Sequence, residues 1–273
     1  MIMVVTLLFI IAVLVTYLSI SIFNSLKTEM NSLQIEYSDP NVAPISFKVA
    51  VMGDIHLGEG DDIVKFLKLL EEVKSNSPDL VLLTGDYVKN QNHIKDIKSH
   101  RTNVINTFKS LDPIPRAIAL GNDEHWTNGN AWLAEFKRLG VDVLENEVRV
   151  MDVAGTKVCV RGLGDIGTHK FKYVDYPAEY QSLPKITITH DPQGAFEAGV
   201  EGLVFSGHTH CGQVNFPIIG PRMVPTNAPR EAICGLYKDS KRTLFVTSGI
   251  GWSVLPIRYG TQSQWDLIDL NFE

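Results

Sequence analysis

The chain has 273 residues, a net charge of −6 at pH 7 and a pI near 5.8. Lys and Arg form no cluster of five or more, so the sequence has no basic face of the kind that binds a nucleic-acid backbone. We therefore expect no nucleic-acid partner. The length allows one large domain with a substantial core.

The N-terminal segment MIMVVTLLFIIAVLVTYLSISIF, residues 1–23, contains no charged side chain. About 20 apolar residues in a helix span a hydrocarbon layer of roughly 30 Å. A cleaved signal peptide would need a basic start and a small-residue cleavage site, and neither is clear, since the first basic residue is Lys27. The segment predicts an uncleaved, single-pass membrane anchor. Residues 24–45 read as a tether leading into the domain, with a short strand at LQIEY.

The side of the membrane on which the globular part lies stays open. The only side-chain charges near the apolar segment are Lys27 and Glu29, so the positive-inside rule gives no orientation. Cys159, Cys211 and Cys234 are odd in number and lack the spacing of a disulfide framework. Three unpaired thiols favour a reducing compartment.

Strands and helices alternate through the first half of the domain. The predicted strands are SFKVAVMG, DLVLLTG and RAIALGN, and the predicted helices are residues 61–76, residues 94–111 and AWLAEFKRLG. This βαβαβα order favours a layered α/β fold with a mainly parallel sheet. The helix at 61–76 shows the expected periodicity, with Ile63, Phe66, Leu67, Leu70 and Val73 on one face.

The second half is richer in strands. Residues 145–165 alternate around AGT and predict a hairpin, followed by the strands KITITHD, GLVFSGH, TLFVTSG and QWDLIDLNF. Little helix separates them. Together the two halves predict a four-layer α/β/β/α sandwich over residues 46–273, in which two packed sheets carry helices on their outer faces.

Five predicted strands end in side chains that bind metals. In α/β sheets, sites lie beyond the carboxyl ends of strands, and glycines there allow sharp turns. Taken singly, each strand-end residue is explained equally well as a buried side chain with a hydrogen-bond partner. All of them together at strand ends favour a metal centre, because buried unpaired carboxylates are costly. The residues are Asp54, His56, Asp86, Asn122, His190, His208 and His210.

The mixture of imidazole, carboxylate and amide ligands, without thiolate, suits Mn, Fe, Zn or Co better than Ca. Seven ligands are too many for one tetrahedral ion. They are about right for two ions that share a bridging carboxylate.

The order D-x-H, GD, GN, H and GHTH resembles the calcineurin-like metallophosphoesterase superfamily, from Phe47 to the C-terminus. ITHDP, GHTHCGQ and SGIGWSVLPIRYG resemble its bacterial membrane-associated phosphodiesterase branch, which includes enzymes that hydrolyse the pyrophosphate of UDP-2,3-diacylglucosamine. The resemblance implies that Asp86 bridges two metals. It assigns Asp54, His56 and His210 to the first metal, and Asn122, His190 and His208 to the second.

The resemblance implies two divalent ions, with Mn favoured and Fe, Zn or Co as alternatives, and a bridging hydroxide that attacks phosphorus in line. The expected protein is a phosphohydrolase of the bacterial cytoplasmic membrane, acting on a phosphodiester or pyrophosphate. The substrate would be a phosphorylated small molecule or a phosphorylated lipid. The bond that is cleaved would belong to a lipid-linked or a nucleotide-linked compound. Two alternatives remain open: a phosphomonoesterase or protein phosphatase, and a tethered metal- or phosphate-binding protein with weak catalysis.

The chain departs from the family pattern at Asp123, where the family has a histidine credited with protonating the leaving group. An aspartate beside two cations stays ionised and is a poor acid. Loss of a general acid typically costs about 10²–10⁴-fold in rate. A substrate with a good leaving group would need no acid. Alternatively, His125 would substitute, because residues two apart in an extended segment point the same way. Asp123 and His125 are therefore the candidate catalytic residues.

Several further residues are weaker candidates. Cys211 stands where the branch usually has glycine, and we interpret it as a small buried side chain rather than a ligand. The apolar segment VNFPIIGPRMVP reads either as a loop packed on the core or as a lip that rests on the bilayer. Candidates for substrate contact, each individually better explained as a surface residue, are His93, His100, His169, Arg222, Arg230 and Arg258.

Overall fold

The structure is a computed structural model that describes residues 2–89 and 94–273. It begins with helix α1, Ile2–Leu26, whose described side chains from Val4 to Ile20 are exposed. Residues Val4–Leu26 are long and apolar enough to cross a membrane once, by length and composition.

The remaining helices and strands follow in chain order. In the first half they are β1 Glu29–Tyr37, β2 Ile45–Met52, α2 Asp61–Ser75, β3 Leu80–Leu83, α3 Ile97–Lys109, β4 Arg116–Ile118, α4 Asn122–Trp126 and α5 Gly129–Leu139. In the second half they are β5 Glu147–Val153, β6 Thr156–Gly162, β7 Lys185–Ile188, β8 Gly202–Ser206, β9 Asn215–Phe216, β10 Gly220–Pro221, β11 Gly235–Lys238, β12 Arg242–Val246 and β13 Gln264–Phe272.

Two large mixed sheets form the domain, together with a small two-stranded sheet of β9 and β10. The first has the strand order β1-β13-β2-β3-β4, in which only the β13–β2 pairing is antiparallel. The second has the order β11-β12-β8-β7-β6-β5, with a parallel centre and antiparallel outer pairs. The predicted α/β alternation and the hairpin of β5 and β6 are confirmed.

The cores follow from the side chains that these elements bury. Val49, Leu82, Ile188 and Phe205 belong to a cluster between the two sheets. A second cluster packs α2, α3 and α5 against the outer face of the first sheet, through residues such as Phe66, Phe108 and Trp132. The domain therefore has helices on one face of a pair of packed sheets.

The predicted fourth layer of α-helices is not confirmed. The outer face of the second sheet packs through a smaller cluster that includes Leu163, Val204 and Val246. From β6 to the C-terminus the helical elements are short 3-10 turns, such as Pro192–Phe196 and Arg230–Ala232. Turns of three to five residues are too short to form a helix layer.

The predicted tether is more ordered than the sequence indicated. Strand β1 extends the short strand predicted at LQIEY to nine residues and pairs in parallel with β13, the last strand. On their shared edge, Asn31 donates a hydrogen bond to the buried Asp266 at 2.7 Å. Residues 29–37 thus belong to the first sheet, and the division of the chain into domains stays a prediction.

Candidate metal centre

The site lies where loops from both sheets meet. The segments that follow β2, β3 and β4 approach those that follow β7 and β8, and each carries one or more of the seven predicted ligands. Six of the seven residues are at least 94% buried, with exposed fractions between 0 and 6%. The structure therefore brings the predicted residues together, while their role as metal ligands stays a prediction.

One group of potential ligands consists of Asp54, His56 and His210. The Nε2 atoms of His56 and His210 face each other at 3.1 Å. His210 Nε2 also lies 3.7 Å from Asp54 Oδ1. Two imidazole nitrogens and a carboxylate oxygen directed at one point form a donor set that fits a divalent transition-metal ion.

A second group consists of Asp86, His190 and His208, with Asn122 beside it. His190 Nε2 lies 3.1 Å from His208 Nδ1 and 3.2 Å from Asn122 Oδ1. Asp86 Oδ2 is 3.3 Å from His190 Nε2 and 3.9 Å from His56 Nε2. Asp86 therefore contacts both groups, as a bridging carboxylate would.

The opposite ring nitrogens of two histidines are held by backbone carbonyls. His190 Nδ1 lies 2.8 Å from Thr84 O, and His208 Nε2 lies 2.7 Å from Pro225 O. A carbonyl accepts only, so each of these nitrogens carries the proton. When the ring is neutral, the other nitrogen of each has a lone pair directed at the site, which is the usual arrangement of histidine ligands.

The backbone is bent to achieve this convergence. Asp54, His56, Asp86, His208 and His210 all have positive φ, between 46° and 70°. Non-glycine residues rarely adopt this region, and such residues concentrate at functional sites.

Glycine neighbours make the close approach possible. A Cβ on Gly121 would lie 2.3 Å from Asp86 Oδ1, and one on Gly207 would lie 2.5 Å from Asp54 Oδ2. Any larger residue at either position would displace one of the two buried carboxylates.

The electrostatic balance of the site favours cations. Burial opposes a charge on His56, but the hydrogen bond to Asp123 and the charge of Asp86 outweigh it and raise the pKa of His56 to about 9. Burial likewise opposes a charge on His190, yet Asp86 raises its pKa well above the usual value. The negative field that holds protons on these rings would equally attract a divalent ion in their place.

His210 has the opposite balance. Burial, followed by the nearby Arg258 guanidinium, lowers the pKa of His210 well below its usual value. Its imidazole is therefore neutral, and because the Arg258 guanidinium only donates, Nδ1 accepts from it and the ring proton lies on Nε2. Arg258 is itself fully buried, with Nη2 3.0 Å from His210 Nδ1. The reading of Arg258 as a surface residue was wrong.

The segment GNDEHW is helical rather than extended. Residues 122–126 form the single-turn helix α4, so Asp123 and His125 do not point the same way. Asp123 Oδ2 lies 3.0 Å from His56 Nδ1, inside the site. His125 Nε2 instead lies 3.0 Å from Glu145 Oε1. The prediction that His125 takes the place of a histidine at position 123 assumed an extended segment. That assumption was wrong.

The sequence reasoning missed Glu124, which is fully buried. Its carboxylate accepts hydrogen bonds from the backbone N–H groups of Asp86, Tyr87, Val88 and Gly121, at 2.7–3.2 Å. These bonds tie α4 to the loop that carries Asp86. An acidic residue after a strand-end Gly-Asn was the available signal, because carboxylates commonly accept from backbone N–H groups at helix starts.

Cys211 and Cys234 form a disulfide, which corrects the expectation of three free thiols. Cys159 is free and buried. The bond ties the residue after His210 to the segment that follows the turn at Arg230–Ala232. Disulfides persist in oxidising compartments, so the argument for a reducing compartment no longer holds.

The remaining candidates for substrate contact are His93, His100, His169, Arg222 and Arg230. His100 is buried, contrary to expectation, and its Nε2 contacts Leu57 O at 3.0 Å. Arg230 is exposed and donates to Ile219 O at 2.8 Å. His169 and Arg222 are exposed. His93 lies outside the described residues.

Similarity to known proteins agrees with this geometry. The chain is 30% identical over 277 residues to an uncharacterised metallophosphoesterase of Campylobacter jejuni, covering 96% of this chain and 68% of that protein. It is 27% identical over 225 residues to the uncharacterised metallophosphoesterase YkuE of Bacillus subtilis, covering 78% and 75% respectively. It is 25% identical over 244 residues to the phosphodiesterase YaeI of Escherichia coli, covering 87% and 86%.

Among solved structures, the NAD nucleotidase of Haemophilus influenzae shares the fold, with a TM-score of 0.52 and 14% identity over 77% of this chain and 46% of that one. The model of the family described as Calcineurin-like phosphoesterase matches residues 47–212, more than half of the chain. The chain therefore belongs to the calcineurin-like phosphoesterase family, whose members are metal-dependent hydrolases of phosphoric esters.

Proposed function

We propose that this protein is a membrane-anchored phosphohydrolase with two divalent metal ions that cleaves a phosphodiester or pyrophosphate bond. The observation that carries the proposal is the convergence of two ligand groups that share Asp86. One buried carboxylate between two sets of imidazoles is what a pair of bridged ions requires. Similarity to a protein named phosphodiesterase supports the reaction class.

The seven side chains would bind two metal ions. Asp54, His56 and His210 would hold one ion, and Asn122, His190 and His208 would hold the other, with Asp86 between them. When bound, such a pair of ions neutralises phosphate oxygens and lowers the pKa of a water molecule to near neutrality. Mn is the favoured metal for this mixed N/O set, with Fe, Zn and Co as alternatives.

The reaction class is tested with activated substrates. We expect the Mn-loaded protein to hydrolyse bis(p-nitrophenyl) phosphate faster than p-nitrophenyl phosphate, measured as released p-nitrophenol. Asp86→Asn removes the shared charge and should lower the rate by at least about 10²-fold, the cost of losing one preorganised electrostatic contribution to the transition state. Asp142→Asn, at an exposed position outside the site, is the control.

Preference for the monoester would favour the phosphomonoesterase alternative. No turnover of either substrate by protein that contains metal would overturn the proposed reaction and favour a binding function.

We further propose that Asp123 positions His56 and does not act as a general acid. Its carboxylate accepts from His56 Nδ1–H, and in the neutral ring that contact directs the His56 Nε2 lone pair at Asp86 and His210. Carboxylates of this kind fix the ring and increase its basicity toward the metal. A substrate with a good leaving group would then need no proton donor.

Removing this contact should weaken metal binding. We expect Asp123→Ala to lower the affinity of one Mn²⁺ site about 10–100-fold, with the other site changed less, in a calorimetric titration. Asp123→Asn keeps an oxygen acceptor for His56 Nδ1–H, so its loss of Mn²⁺ affinity should be smaller. His125→Ala, which leaves the His56 contact intact, should bind both ions as the wild type does. Wild-type affinity at both sites in Asp123→Ala would rule out the positioning role.

The membrane anchor rests on α1 and its surroundings. The Tyr17 ring of α1 packs on Tyr259 with centroids 5.6 Å apart, and Tyr259 packs on Phe216 at 5.7 Å. Phe216, Ile218 and Ile219 are all exposed. This predicted lip therefore lies beside the apolar helix, where exposed apolar side chains would meet lipid.

The anchor predicts how the protein fractionates. The full chain should sediment with membranes and stay there through washes with high salt and alkaline carbonate, which release peripheral proteins but not a spanning helix. Release by either wash would contradict a spanning anchor.

A further inference from the structure

The turn that carries His208 and His210 has a strongly bent backbone. Positive φ angles between 50° and 80° occur at His208, His210, Cys211, Gly212 and Gln213. Glycine adopts this region without strain, but the four other residues carry a Cβ that disfavours it. Such a backbone persists only where surrounding contacts hold it, so the contacts of this turn decide whether His210 keeps its place.

Two contacts tie this turn to one neighbouring segment. Cys211 is joined to Cys234 by the disulfide, and Thr209 Oγ1 donates a hydrogen bond to Ile233 O at 2.6 Å. Cys234 directly precedes β11, whose pairing with β12 fixes it at the edge of the second sheet. The covalent bond therefore connects the residue after His210 to the edge of that sheet.

The two bonded cysteines differ in their access to solvent. Cys211 is 4% exposed, whereas Cys234 is an exposed residue. A dithiol reductant can therefore attack Cys234 Sγ, form a mixed disulfide there and displace the Cys211 thiolate. The second thiol of the reductant then releases Cys234. Two electrons and two protons pass to the cysteines, and the reductant becomes a disulfide.

The disulfide bears more closely on one of the two ligand groups. His210 directly precedes Cys211 and belongs with Asp54 and His56. His208, in the other group, lies three residues from Cys211, and its backbone N–H donates to Asp54 Oδ2 at 2.8 Å. Release of Cys211 therefore acts first on His210.

We propose that the disulfide between Cys211 and Cys234 is a redox-sensitive positioning group for His210. In the oxidised protein the bond holds the bent turn, and His210 faces Asp54 and His56. After reduction, the backbone of residues 210–213 relaxes toward negative φ, because the strained conformation has lost its covalent support. This relaxation turns the His210 ring away from its partners.

The inference rests on the proposed metal centre and adds a condition to it. The centre binds both ions with full affinity where disulfides form. It loses affinity at the His210 site where dithiols keep the two cysteines reduced. The protein therefore acquires its complete metal centre on an oxidising side of the membrane.

Binding of Mn²⁺ by the oxidised and the reduced protein tests the proposal. The full chain in detergent is reduced with dithiothreitol, freed of the reductant without oxygen and titrated with Mn²⁺ in a calorimeter. We expect reduction to weaken one of the two sites about tenfold or more, as the loss of support for a metal ligand does, and to change the other site less. Reoxidation with glutathione disulfide should restore both affinities.

Matched variants separate the disulfide from other effects of the reductant. Cys211→Ser with Cys234→Ser removes the bond and both thiols, and should bind Mn²⁺ as the reduced protein does, without a response to dithiothreitol. Cys159→Ala removes the buried free thiol and should respond to reduction and reoxidation as the wild type does. Wild-type affinity at both sites in the double variant would overturn the positioning role.

Thermodynamic linkage gives a second measurement that needs no variant. If the disulfide strengthens Mn²⁺ binding tenfold, Mn²⁺ must disfavour reduction of the disulfide by the same factor. In a dithiothreitol redox buffer, saturating Mn²⁺ should therefore lower the midpoint potential of the Cys211–Cys234 couple by about 30 mV, measured by alkylation of the thiols and mass spectrometry. A potential that does not change with Mn²⁺ would contradict the proposal.

Two further outcomes distinguish this inference from the proposed metal centre. Two bound ions whose affinities do not change on reduction would reject this inference alone, as would loss of both ions together with loss of helix content by circular dichroism. Failure of the oxidised wild type to bind Mn²⁺ would instead reject the proposed metal centre, and this inference with it.

Discussion

Asp54 and Asp86 are buried carboxylates, and the segments around them are arranged to accommodate their charges. Both carboxylates are almost completely removed from solvent, and isolated charges there would be strongly unfavourable. Each is faced by imidazoles, with His190 nearest to Asp86 and His210 near Asp54. The left-handed backbone at the candidate ligand residues and the glycines around them follow from the need to bring these groups within a few ångströms.

Residues outside the ligand set hold this arrangement in place. Glu124 accepts hydrogen bonds from four backbone N–H groups, and three of these bonds fix the loop of Asp86 to α4. Arg258 lies behind His210 and also bonds to the end of α1. Asp123 likewise holds His56 in place, through its contact with His56 Nδ1. We propose that the aspartate in GNDEHW holds the ring of His56 in place and is not a defective acid.

Local patterns were sufficient to predict most strands and helices, because alternation and helical periodicity depend on neighbouring residues. The seven candidate ligands could also be predicted, since each follows a strand. Contacts between distant segments could not. The helical turn at 122–126 depends on hydrogen bonds that the backbone of residues 86–88 donates to Glu124, and β1 exists because it pairs with β13 at the other end of the chain. No spacing rule indicated the pairing of Cys211 with Cys234.

If Asp86 joins two metal sites, the number of ions bound per chain should show it. Protein equilibrated with Mn²⁺ and freed of excess metal should contain close to two Mn per chain by elemental analysis. Asp86→Asn should lose more than one of them, because both groups share this carboxylate. One ion per chain in the wild type, or full occupancy in Asp86→Asn, would contradict the account.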